Sequence, residues 1–134
     1  DIYDVYVRLV SLETQRSMED FTRLMVGFRR VYNITKQITD AGPVNPAHLV
    51  LDEEKDLFAL YSEKNDAFLG HMKERGYDSA LAILVGFKET IDNFFDKVFV
   101  MDKDETVKAN RLALLTHIKH MFLTFADFSK IHVE

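Results

Sequence analysis

Cysteine is absent from this chain of 134 residues. Its absence excludes disulfide bonds, thiolate metal sites and a cysteine nucleophile, and nothing else indicates an oxidising compartment. Long apolar runs are absent too: no stretch approaches the roughly 18–20 residues of a membrane span, and the N-terminus lacks the basic region and apolar core of a secretory signal. We therefore expect a cytoplasmic protein with no membrane partner.

Helix breakers are scarce as well, with two prolines and five glycines, and this scarcity favours long helices. The length is that of one ordinary domain with a sizeable core. The chain opens at Asp1, without a methionine and inside an apolar periodic pattern. We interpret residues 1–11 as the end of a preceding helix, or a linker, from a longer parent chain, and residues 12–134 as one domain.

The sequence also lacks the common signatures of catalysis. It has no glycine-rich phosphate loop, no G-x-S-x-G, no H-E-x-x-H and no repeated Glu-x-x-His of a di-iron bundle. The pairs His117/His120 and His71/Glu74 have helical spacing, but we interpret both as solvated faces, since Lys119 lies between the two histidines. We expect no catalytic residue, no metal site and no cofactor in this chain.

Apolar residues recur at helical spacing along most of the chain, beginning with residues 2–12. We expect a second helix with Ser17 as its N-cap and a stripe from Phe21 to Ile38, ending before the loop at 40–51 that holds both prolines. A third helix is predicted from near Asp52, with acidic residues in its first turn, until Gly76 stops it.

The remaining pattern predicts two more helices. The fourth spans residues 79–101, kinks at Gly86 or near Glu89, and ends with "VFVM" as buried helix rather than as a strand. The fifth follows a cap at 102–104 and runs to about Phe128. No strand is convincing, so the predicted fold is all-α, a single bundle of about five helices.

Charge is distributed unevenly along this chain. Its net charge of −5 argues against a surface that attracts nucleic acid everywhere, and we expect no DNA partner. Residues 21–39, however, contain four basic side chains and no acidic one, a local charge of +4, all opposite the apolar stripe on a helical wheel. Such a face is either simply solvated or suited to an RNA backbone. The four are Arg23, Arg29, Arg30 and Lys36.

Arg111 is the one charge within an inward-facing row. On a helical wheel it falls with Val107, Leu114 and Ile118, and burying a guanidinium there is costly unless it is paired. We expect an ion pair with Asp92 or Asp96 of the preceding helix; the alternative is a role as an RNA ligand. Its neighbour Asn110 is expected to bond backbone or a loop.

Two segments resemble a known family. Residues 94–131, "FFDKVFVMDKDETVKANRLALLTHIKHMFLTFADFSKI", closely resemble the C-terminal end of the β subunit of bacterial glycyl-tRNA synthetases, which are built from separate α and β chains. Upstream, "FRRVYNITKQ" is similar to that family's K-R-V-x-N-I segment. "LDEEKDLFALY" and "YDSALAIL" fit between them, so the resemblance extends over nearly the whole chain from about residue 12.

The resemblance implies a helical anticodon-binding domain of the DALR type, whose namesake motif maps onto residues 105–108. It implies that the domain grips the anticodon arm of glycine tRNA, while the α subunit activates glycine with ATP and Mg. The implied partners are tRNA(Gly), the rest of the β subunit and the α subunit. The candidate RNA contacts are first Arg29, Arg30, Asn33 and Lys36, and second Lys97, Lys108, Asn110 and Arg111.

Two other interpretations remain open at this point. The chain is alternatively a helical protein-interaction domain that docks within a synthetase, which its negative net charge and apolar first segment favour. It is alternatively the related domain of an arginyl-tRNA synthetase, although that family's tail matches "VMDKDETVKANRLALL" less closely.

Overall fold

The computed structural model describes residues 15–125, with side chains from residue 19 onward. Within this range the chain forms five α-helices, one short 3-10 helix and no β-strand, which confirms the all-α prediction. The helices described include none long and apolar enough to cross a lipid bilayer. The α-helices are α1 (Gln15–Thr35), α2 (Asp52–Lys73), α3 (Tyr77–Val85), α4 (Lys88–Lys97) and α5 (Glu105–Phe125), and the 3-10 helix is Pro46–His48.

Several predicted boundaries shift in the structure. Ser17 lies inside α1, so its prediction as N-cap is wrong, and α1 ends three residues before Ile38. The helix predicted at residues 2–12, the domain boundary at residues 11 and 12, and the predicted end near Phe128 all lie outside the described residues. Over the described residues the four helices predicted there are five, because the predicted fourth helix is two helices.

The break between α3 and α4 falls at the predicted Gly86. Two turn bonds cross it, from the N–H of Gly86 to the carbonyl of Ala82 and from Phe87 to Leu84. The helical run also ends early, because α4 stops at Lys97. The prediction that "VFVM" is the buried end of a helix is therefore wrong. Its four residues lie in the connection between α4 and α5.

Helix α2 ends in a Schellman turn that uses an arginine. The N–H of Gly76 donates to the carbonyl of His71 at 2.7 Å, and Arg75 donates to Met72 at 3.2 Å. The left-handed position belongs to Arg75, with φ of 60°, rather than to the predicted stop Gly76. The helix therefore ends at Lys73, and the turn leads directly into α3.

One hydrophobic core joins all five helices. The ring of Phe28 in α1 stacks on that of Phe122 in α5, with centroids 5.1 Å apart, and the ring of Phe87 meets Phe122 edge-on. Thr35 of α1 meets Lys119 of α5, so α1 and α5 run antiparallel. The predicted stripe of α1 is inward as expected, whereas Leu69 of α2, predicted inward, is exposed.

Helices α1 and α4 are parallel neighbours. Asp20, Gly27 and Arg30 of α1 face Lys88, Ile91 and Phe95 of α4, in that order. A Cβ on Gly27 would lie 3.3 Å from Cγ2 of Ile91, so the missing side chain permits the close approach. This pairing places α4 beside the exposed side of α1.

Candidate nucleic-acid interface

The polar side of α1 is exposed as the sequence predicts. Arg23, Arg29, Arg30 and Lys36 all lie at the surface, and Asn33 lies among them. No acidic residue occurs between residues 21 and 39, so α1 itself contributes only positive charge there, although Asp92 of α4 lies beside Gly27. The helical period produces it, because these side chains lie opposite the buried Phe21, Leu24, Phe28 and Val31.

Arg30 joins this face to the next helix. Its guanidinium carbon lies 4.4 Å from the ring centroid of Phe95 in α4, a cation–π contact. From that contact, Asn33 lies three residues along α1 and Lys97 two residues along the parallel α4. At about 1.5 Å per residue the two are level to within one turn. We call Arg29, Arg30, Asn33 and Lys36 the α1–α4 face. The exposed Lys97 is level with them but lies about 200° round α4 from Phe95, on another side of that helix.

Lys108 lies apart from this face. It is half-buried in the first turns of α5, with Nζ 3.8 Å from a carboxylate oxygen of Glu105. Because α5 runs antiparallel to α1, and α1 ends level with Lys119, the position of Lys108 is about 16 Å further along the α5 axis. Lys108 is therefore distant from Lys36 at the end of α1, but it lies one turn from Arg111, which donates to the carbonyl of Phe99, two residues after Lys97.

Asn110 is buried and fastens a loop, as predicted. Its side-chain oxygen accepts from the N–H of Asn45 at 2.7 Å, and its amide donates to the carbonyl of Asn45 at 3.1 Å. A second contact, 2.6 Å from the His117 ring to the carbonyl of Gly42, holds the same loop on α5. A cleft of about 500 Å³ lies between this loop and α5, and none of the residues that line it is a lysine or arginine.

Arg111 is a structural ion pair, as expected, but with other partners. One terminal nitrogen lies 2.8 Å from Oε1 of Glu54 in α2; the other lies 3.5 Å from Oδ2 of Asp102 and donates to the carbonyl of Phe99 at 2.6 Å. The predicted partners Asp92 and Asp96 are wrong. The reason is that α5 presents Arg111 towards the start of α2 and the α4–α5 connection.

Glu54 makes this pair part of a helix cap. The same oxygen that binds Arg111 also accepts from the N–H groups of Leu51 and Val50, at 3.0 and 3.3 Å. A glutamate at the third position reaching back to the cap is one half of a capping box. The Glu54 side chain is fully buried and that of Arg111 is 5% exposed, so the charges neutralise each other away from water. We call Arg111, Glu54, Asp102 and the Phe99 carbonyl the Arg111 cluster.

Lys119 is a buried cation that the sequence analysis placed on a solvated face. Its ammonium donates to the carbonyls of Thr35 and Ile38, at 2.7 and 2.6 Å, and so satisfies the C-terminal end of α1. Burial lowers the pKa of Lys119 below its usual value. In the sequence, the one indication of this burial is that Lys119 falls beside Thr116 and Leu115 on a helical wheel.

The histidine pair is not a uniformly solvated face either. His117 is half-buried, with its ring 5.6 Å from that of Tyr61, whereas His120 is exposed. Burial, then the charges of Lys119 and His117, lower the pKa of His120 below its usual value, against an opposing effect of Asp40. In the portion of the chain with described side chains, no group of three candidate ligands is arranged to hold a metal ion.

Phe99 is a surface feature that the sequence analysis missed. Burial alternates along the α4–α5 connection: Val98 and Val100 are buried, while Phe99 is 70% and Met101 is 49% exposed. Alternation with a period of two is typical of extended backbone, and Val98 has extended dihedral angles. The segment therefore presents an aromatic ring to solvent two residues after Lys97.

A family model described as the DALR anticodon binding domain matches residues 24–130. The chain belongs to this family. The match contains all five α-helices apart from the first turns of α1, so the family covers the α1–α4 face and the Arg111 cluster together.

Curated relatives agree with the family and add a longer context. The chain is 38% identical over 131 residues to the glycine–tRNA ligase beta subunit of Persephonella marina, and 41% identical over 138 residues to that of Geobacter metallireducens. The same-named protein of Trichlorobacter lovleyi is 39% identical. Each alignment covers 98% of this chain but only 18 to 19% of the relative. This DALR domain thus spans about a fifth of the length of the relatives it matches.

Proposed function

We propose that this chain is the tRNA-binding part of a glycine–tRNA ligase β subunit, and that its α1–α4 face holds the anticodon arm of tRNA(Gly). The observation that supports the proposal is the exposed cationic side of α1, which contains no acidic residue in a chain of net charge −5. Arginine and lysine side chains on one face can neutralise successive phosphates.

Within this proposal the candidates of the sequence analysis separate into two groups. Arg29, Asn33 and Lys36 are exposed on one side of α1, which suits contact with an RNA backbone, and Lys97 is exposed at the end of α4. Asn110 and Arg111 are buried, and their polar groups bond other parts of this chain, so we assign them to the scaffold of the site. Lys108 lies too far along α5 to join the face.

The wider setting is part of the same proposal. We propose that the domain works joined to the rest of a β subunit and alongside an α subunit in the cytoplasm, where ATP and Mg²⁺ are used outside this chain and no cofactor binds within it. The relatives' shared name and greater length support this setting. The rival arginyl-tRNA synthetase interpretation receives no support from these three relatives.

Charge reversal tests the face. We compare the 134-residue chain with its Arg29→Glu/Lys36→Glu variant by fluorescence anisotropy, using a labelled anticodon stem-loop of tRNA(Gly). The matched control is Lys55→Glu/Lys73→Glu, which makes the same charge change at two exposed positions of α2. Arg30 is left unchanged because it packs on Phe95.

We expect the α1 variant to bind at least about tenfold more weakly and to reduce the salt slope, log Kd against log[salt], by about 1.5 to 2, as loss of two phosphate contacts requires. The control should change both quantities much less. Equal losses in the two variants would mean that only net charge matters, and unchanged binding in the α1 variant would refute the proposed face.

A further inference from the structure

Phe99 is held so that its ring faces outwards. The buried side chains of Val98 and Val100 anchor the chain on both sides of it, and its ring is the most exposed of the large apolar side chains described. A phenylalanine that is 70% exposed gains nothing from the core of this domain. Its position therefore suits contact with something outside the domain.

The Arg111 cluster fixes the backbone beneath this ring. Arg111 donates to the Phe99 carbonyl at 2.6 Å, and the same guanidinium is held by Glu54 of α2. The connection is thus tied to two helices by a partly buried, charge-assisted bond. A ring on a fixed backbone loses little conformational entropy when a partner covers it, which favours binding.

The ring also lies near one end of the α1–α4 face. Lys97 is the last residue of α4, and Phe99 follows it by two residues in extended backbone. The parallel packing of α1 and α4 places Lys97 level with Asn33, so the ring lies just beyond the end of the proposed backbone contacts. One RNA strand that follows the face can therefore bring a base to the ring.

The local charges are compatible with an uncharged, planar partner at the ring. The carboxylate of Asp102 is bound by Arg111, and that of Asp104 accepts from the N–H groups of Thr106 and Val107 at the start of α5. These acids oppose a phosphate at the ring, but they do not oppose the π-face of a nucleobase, which carries no net charge. Aromatic side chains stack unpaired bases in just this way.

We propose that Phe99 is a stacking platform for one unpaired base of the RNA whose backbone lies along the α1–α4 face. The inference rests on the proposed function and adds a base contact to it. It assigns the Arg111 cluster a positioning role, because Arg111 fixes the backbone of Phe99 without reaching the RNA itself.

Tryptophan fluorescence tests the contact, because the chain contains no tryptophan. Phe99→Trp introduces a single indole at the platform, and Leu69→Trp places one at an exposed apolar position of α2, about 22 Å along that helix from Glu54. Each variant is titrated with the unlabelled anticodon stem-loop while anisotropy of a labelled copy measures binding. Circular dichroism verifies that each variant is folded.

We expect saturating RNA to quench the indole of the Phe99→Trp variant strongly and that of the Leu69→Trp variant little. Phe99→Leu, which keeps an apolar side chain but removes the ring, should weaken binding by about 5- to 100-fold, the range for loss of one stacked base, whereas Phe99→Trp should retain it.

The outcomes separate this inference from the proposed function. Normal affinity for Phe99→Leu, with no quenching in the Phe99→Trp variant, would overturn the platform and leave the α1–α4 face standing; the ring would then serve a protein contact. Absence of RNA binding by the unmodified chain would instead refute the proposed function.

Discussion

The buried pair of Arg111 and Glu54 gives the sharpest stability prediction. Replacing Arg111 by Met removes the 2.8 Å bond to Glu54, the 2.6 Å bond to the Phe99 carbonyl and the longer contact with Asp102. Glu54, fully buried, would then have only the N–H groups of Leu51 and Val50 as donors. Removing one partner of such a pair typically costs about 3–5 kcal/mol, so we expect a loss of about 4 kcal/mol in the free energy of unfolding.

A double-mutant cycle isolates the pair from the rest of the site. The single variants are Arg111→Met and Glu54→Leu, and the double variant carries both, each measured by urea unfolding of the 134-residue chain. Because the double variant leaves no unpaired buried charge, we expect it to be at least about 2 kcal/mol more stable than the sum of the single losses predicts. The surface pair of Lys108 and Glu105 is the control, and Lys108→Met should change stability by less than about 1 kcal/mol.

Two outcomes would refute this reasoning. A loss below about 1 kcal/mol for Arg111→Met would mean that water or a movement of Glu54 compensates the charge, contrary to its complete burial. Additive single losses would mean that the two side chains contribute separately, and that Glu54 matters only as the cap of α2. Either result would also weaken the positioning role assigned to Arg111.

Three further predictions concern Lys119, His120 and Asn110. Lys119→Met should destabilise the chain by removing the bonds from its ammonium to the carbonyls of Thr35 and Ile38, although the Thr35 carbonyl keeps the N–H of Ile38 as a donor. It should also raise the pKa of His120 by removing a positive neighbour, which proton NMR of the His120 ring would detect; an unchanged His120 pKa would refute the charge effect. In the unmodified chain the lowered pKa of His120 means that the unfolded state binds its proton first, so His120 should reduce stability as the pH falls below about 6.5. Asn110→Ala should speed hydrogen exchange at the Asn45 amide, since Asn45 loses both of its bonds to Asn110; unchanged exchange in this variant would mean that Asn110 does not hold the loop.

Much of the architecture follows from the spacing of apolar residues. A helix buries one stripe, so the pattern in α1 predicted which side is inward and, by difference, that Arg29, Asn33 and Lys36 are exposed. The same rule placed Arg111 inside the bundle. It could not predict the partner, because a helical wheel gives a direction and not the neighbouring element; Glu54 is 57 residues away in the chain.

The misinterpreted segment "VFVM" shows a different limit. A short run of apolar residues has no periodicity of its own, so it fits a helix end, a buried strand or an extended connection equally well. Packing against the bundle buries Val98 and Val100 and leaves Phe99 exposed between them, so the segment is an extended connection. Lys119 was missed for a related reason, since a lysine on a helix is usually solvated and only the end of α1 offers it buried acceptors.

The sequence by itself determined the all-α class, the exposed cationic side of α1 and the inward direction of Arg111, because each depends on the helical period within one segment. The tertiary structure alone decided which distant groups meet: Arg111 with Glu54, Lys119 with Thr35, and the end of α4 with the end of the α1 face. The physical reason is that buried charges and polar groups must be satisfied by whatever element the packing brings near, and packing is a property of the whole bundle.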